Sequence, residues 1–95
     1  MALLDDVKQA LRVSGSDFDI EIQDLIEAAK ADLALAGITK LDETDSLIKR
    51  AVVLYCKANF GYEDPTMAEL FNKSYQSLKT HLALSQEYTV IEVTV

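Results

Sequence analysis

Apolar residues at Leu3, Leu4, Val7, Ala10 and Leu11 recur at the three- and four-residue steps that place them on one side of a helix. Val13 to Ser16, with Gly15 inside it, breaks that pattern. A second helix is predicted from about Asp17 to Ala36, opened by Ser16 or Asp17, whose short side-chain oxygens suit an N-cap. Asp19 and Glu21 fall in its first turn, where the helix dipole favours negative charge. Phe18, Ile22, Leu25, Ile26, Ala29, Leu33 and Ala36 line one face, and Gly37 stands where a left-handed residue would end the helix. The other side is not wholly polar. Ile20, Ala28, Ala31, Ala34 and Leu35 form a weaker stripe, interrupted by Asp24 and Glu27. Such a stripe on a long helix points to a second neighbour, although alanine also favours helix for its own sake.

Ile38 to Thr44 reads as a connector, with Thr44 or Asp45 capping a third helix. From Ala51 to Cys56 every residue is apolar or aromatic. At 100° per residue that run covers every direction, so this helix is expected to be surrounded and to form the centre of the core. Gly61 closes it, and Asp64-Pro65 opens a fourth helix, with Asp64 as N-cap and Pro65 where a missing N–H is harmless. Met67, Leu70, Phe71, Ser74, Tyr75, Leu78 and Leu82 share one face of that helix.

After Ser85 the character changes. Tyr88 to Val95 is dense in β-branched residues and predicts a strand. Ile91, Val93 and Val95 alternate onto one side of it, with Tyr88, Val90, Glu92 and Thr94 on the other. No other segment reads as a strand, and a lone strand leaves its backbone groups unpaired. The expectation is therefore pairing with a neighbouring chain by strand addition, against the plainer alternative of an unstructured terminus. The predicted fold is all-α, a four-helix small domain over residues 1–86, with an intermolecularly paired β-strand or tail at 87–95.

The 95 residues suffice for one domain, and 49% of them are apolar. That share is generous for a small monomer, which buries proportionally little of its surface, so a partner is expected to cover part of it. The formal charge is −7, from 16 acids and 9 bases. A negative surface repels phosphate, so neither specific nucleic-acid binding nor binding to anionic lipid is expected. The first residues do not read as a signal peptide, and no apolar run approaches membrane-spanning length, which predicts synthesis in a cytoplasm and no membrane partner.

Candidate chemistry is sparse. Cys56 is the single cysteine and His81 the single histidine, too few for a zinc site. A Cys56–His81 nucleophile is disfavoured because the thiol lies in the most buried segment. Asp17, Asp19 and Glu21 alternate like half a calcium loop but lack the turn glycine and the terminal acid; Asp42, Glu43 and Asp45 fare no better. Asn72-Lys73-Ser74 matches a glycosylation sequon inside a predicted helix and is discounted. The three glycines are too far apart for a phosphate loop, and the four tyrosines read as core or interface residues. The prediction is a non-enzyme with no cofactor, no metal and no catalytic residue.

Three segments in order carry a resemblance: LLDDVKQALRV, then DFDIEIQDLIEAAKADLALAG, then DSLIKRAVVLYCKANFGYED. They resemble the opening helices, the central helix and the following turn of phage head–tail connector proteins, also described as phage DNA-packaging proteins. The resemblance runs from about Leu3 to Leu82. It implies a helical subunit of a homo-oligomeric ring at the head–tail junction of a virion, below the portal protein. Such a ring extends the DNA channel and docks the next tail or stopper protein. An acidic wall suits passing DNA because it does not grip the duplex. The candidate interface residues, taken from the second stripe and the predicted strand, are Ile20, Ala31, Leu35, Tyr88, Val90, Ile91, Val93 and Val95. The rival readings are a small antitoxin-like or anti-repressor-like regulator, monomeric or dimeric, and a small enzyme or metal protein whose polar pocket the sequence does not offer.

Overall fold

The computed structural model of the chain describes residues 3–61 and 64–89. Four helices follow one another: α1 (Leu3–Leu11), α2 (Asp19–Leu35), α3 (Ser46–Asn59) and α4 (Pro65–Leu84). Among the described residues there is no strand. The all-helical prediction holds, and the helix boundaries follow from local chemistry.

Asp45 is the N-cap of α3, its carboxylate accepting from the amides of Leu47 at 2.9 Å and Ile48 at 3.2 Å. Asp64 does the same for α4 through Thr66, with Pro65 just inside the helix. Gly37, at φ +91°, ends α2. Its amide donates to Ala34 and that of Ile38 to Leu33, satisfying two carbonyls that the helix would otherwise leave open, while Ile38 and Leu33 are both buried. The same arrangement ends α1 without a glycine: Arg12 takes φ +59°, and Val13 donates to Lys8 at 2.9 Å.

The start of α2 departs from expectation. Neither Ser16 nor Asp17 caps it; Phe18 holds the N-cap position and gives no side-chain bond. Its ring instead meets Phe60 edge-on, with centroids 5.6 Å apart, and stays 47% exposed.

α3 packs against all three other helices. Ala51, Val52, Val53, Leu54 and Cys56 are buried on it, and Tyr55 is half-buried against Tyr75 of α4. Around α3 lie Leu3 and Val7 of α1, Ile22, Ile26, Ala29 and Leu33 of α2, Ile38 of the connector, and Tyr75 and Leu82 of α4. Each such aliphatic side chain contributes about 1.5–3 kcal/mol by leaving water.

The apolar face of α4 is only partly covered. Lys57 lies over the Phe71 ring and Tyr55 meets Tyr75, so later residues of α4 pack on earlier residues of α3. The two helices run in opposite directions, and α3 ends at Asn59. The first turns of α4 overhang that end, leaving Met67 and Leu70 exposed.

The predicted strand is corrected at its beginning. Ser85 to Thr89 is a turn, its amides of Tyr88 and Thr89 both donating to the Ser85 carbonyl. Val90, Ile91, Glu92, Val93, Thr94 and Val95 lie outside the described residues, and so does the pairing expected of them. Tyr88 belongs to the helical body because its side chain and carbonyl find partners there, which an extended chain directed at a neighbour would not provide.

Candidate assembly surface

The stripe noticed on the second helix sits on the side of α2 turned away from the core. Ile22, Ile26, Ala29 and Leu33 are buried, whereas Ile20 is 80% and Leu35 87% exposed. Ile20, Asp24, Ala31 and Leu35 fall within a narrow arc of the helix at 100° per residue. Ala28, Ala31 and Ala34 are exposed beside them, keeping the surface low between its two large apolar ends. Three of the predicted interface residues, Ile20, Ala31 and Leu35, are thus brought onto one open face.

Tyr88, the fourth, is not on it. This side chain is only 5% exposed. Its hydroxyl reaches both oxygens of Asp45, and its carbonyl accepts from the amides of Thr39 at 2.9 Å and Lys40 at 3.2 Å. Lys40 also lies over the ring, 5.4 Å from its centroid. Tyr88 is therefore a strap on the α2–α3 connector, buried where an interface residue was expected. Burial pushes the Asp45 carboxyl up, but the bonds from Tyr88, Ile48 and Leu47 outweigh it and hold the group below its ordinary value.

A second polar link ties α2 to α4. The Tyr75 hydroxyl donates to Asp32 at 2.5 Å, and Lys79 adds an ion pair to the same oxygen at 3.1 Å. The Tyr75 bond, then Lys79, lower the Asp32 carboxyl against the opposing effect of burial. Nothing in the sequence signalled either link. Both join residues more than forty positions apart.

The distribution of charge singles out a further surface. Among the described residues, every lysine except Lys57 forms an ion pair: Lys8 with Asp19, Lys30 with Glu27 and Glu43, Lys40 with Glu87, Lys49 with Asp6, Lys73 with Glu69 and Lys79 with Asp32. Lys57 covers Phe71. Arg12 and Arg50 make no ion pair with a described residue, and both are exposed. Arg50 lies three positions after Leu47, which is 45% exposed, on the same side of α3.

The candidates for chemistry fall away on geometry. Cys56 is buried and its thiol is pushed up to about 12 by burial, so it is no thiolate at neutral pH. His81 is exposed on α4. Asp19 is taken up by Lys8 at 2.7 Å, and Asp42 by the amide and hydroxyl of Thr44. Among the described residues no group of three or more His, Cys, Asp or Glu side chains is placed to hold a metal. Among the described residues no helix is long and apolar enough to cross a membrane.

A family model described as phage connector protein matches residues 3–89, nearly the whole chain. The chain belongs to that family. No curated protein and no solved structure matches it. Connector membership makes it a structural component of a phage particle, and the match carries the resemblance, read from about Leu3 to Leu82, on to Thr89.

Proposed function

We propose that this connector is a subunit of a homo-oligomeric ring at the head–tail junction. In this reading the ring lies below the portal protein, prolongs the DNA channel and offers its far side to the next tail or stopper protein. The outer face of α2 carries the proposal: Ile20 and Leu35 remain almost fully exposed on a helix whose opposite side is fully buried. Monomeric proteins leave single apolar residues exposed, and two such residues aligned on one stripe with exposed alanines between them favour contact with a partner. The charge of −7 supports the channel role, because a duplex passing an acidic wall meets no cationic grip.

The test is the position of the protein in the particle. Immunogold labelling of purified virions should mark the neck between head and tail. Label on the capsid faces or the tail tip, or none on intact and neck-exposed particles, would sink the reading.

A further inference from the structure

The outer face of α2 combines apolar groups with uncompensated acids. Glu21 and Asp24 flank Ile20 there, and neither makes an ion pair with a described residue. A surface that fits it must offer an apolar group beside an unpaired cation. In a chain where six of seven lysines are already committed within the molecule, α3 supplies that pair in Leu47 and Arg50.

Resting on the connector reading, we propose that α2 of one copy docks on the Leu47–Arg50 surface of the next copy, with Arg50 meeting Asp24 and its neighbours. The two surfaces are different, so the contact is head-to-tail and each copy keeps its other surface free for a further neighbour. That is the geometry from which a closed ring, rather than a two-fold dimer, is built. Arginine suits the place because its weakly hydrated, planar guanidinium pairs with carboxylates at interfaces more readily than an ammonium does. Arg12 is the less suitable cation, since it occupies the left-handed turn that ends α1. Lys73 on α4 lies three positions after exposed Leu70 but already pairs with Glu69.

Charge exchange tests this on the full chain, by sedimentation equilibrium over a concentration series at low and high salt. Arg50→Glu and Asp24→Arg should each weaken self-association roughly tenfold or more. The chain carrying both changes should recover to within about threefold of wild type, because the pair is restored with its signs exchanged. Helix content by circular dichroism should be unchanged in all three, since both positions are exposed. Recovery in the double variant is the decisive result, because no folding defect is repaired by adding a second charge reversal. Self-association of both single variants equal to wild type would place the contact elsewhere. So would loss in Lys73→Glu without loss in Arg50→Glu. A wild-type chain that stays monomeric throughout would overturn the contact itself. The connector reading is judged separately by labelling at the neck of the particle, so the two can fail independently.

Discussion

The Tyr88 hydroxyl lies 3.0 and 2.9 Å from the two carboxylate oxygens of Asp45, the residue that caps the N-terminus of α3. One carboxylate therefore closes the central helix and fastens the end of the described chain to it. Asp45 satisfies amides of α3 that lack helical partners, and Tyr88 fixes the rotamer in which it does so. The turn after α4 is thereby part of the fold, and this changes what a truncation should do.

Removing Val90 to Val95 leaves the strap in place, whereas removing Glu87 to Val95 deletes it. The shorter deletion should melt within about 2 °C of the full chain, and the longer one at least about 4 °C lower. Tyr88→Phe keeps the ring and loses the hydroxyl, and should fall between the two. Thermal melts followed by circular dichroism would check the order. Equal melting of the two truncations would show that the strap contributes nothing to stability.

Val52 is fully buried at the centre of α3. Val52→Asp puts a carboxylate among apolar side chains with no cation to pair it, and should destabilise by about 3–5 kcal/mol. Arg50→Ala, two positions earlier on the exposed side, should change stability by no more than about 0.5 kcal/mol. Urea titration of both variants measures the contrast. Similar midpoints would mean that α3 is not the central helix.

Acid should loosen the fold through Asp32 and Asp45. Both carboxyls are held below the ordinary value of 3.8, the first chiefly by the Tyr75 bond, the second by Tyr88 and two amides against the effect of burial. A carboxyl with a lower pKa folded than unfolded binds fewer protons in the folded state, so its contribution is complete above the unfolded value. It is lost as pH falls below about 3.8 and on through the folded values. Urea midpoints from pH 7 to pH 2.5 should be steady at first and then fall. Tyr75→Phe should make that fall shallower by removing the main cause of the Asp32 shift. An unchanged slope in Tyr75→Phe would show that the bond does not hold Asp32 ionised.

The protein should not grip DNA. With 16 acids against 9 bases, and most of the lysines held in ion pairs, little cationic surface remains to release counterions from a duplex. Fluorescence anisotropy with a random duplex at physiological salt should show no saturation below about 100 µM, the tight end of ordinary non-specific affinity being near 1 µM. Micromolar binding would reveal a basic surface that these ion pairs leave open.

The helices and most of their ends were written in the sequence. The apolar run Ala51 to Cys56, the caps Asp45 and Asp64-Pro65, and the stop at Gly37 act through bonds and periodicity within about one turn, which a linear reading captures. The open stripe of Ile20, Ala31 and Leu35 was legible for the same reason, since it lies along one helix. Tertiary structure alone decided the fate of Tyr88: its β-rich surroundings spoke for a strand, but a connector amide pair and a capping carboxylate 43 positions away were waiting for it. It also decided that Phe18 rests on Phe60 instead of entering the core, and that Met67 and Leu70 overhang the end of α3. The arginines followed the same rule. Which cations stay unpaired depends on where every carboxylate comes to rest, a property of the folded surface that no local pattern encodes.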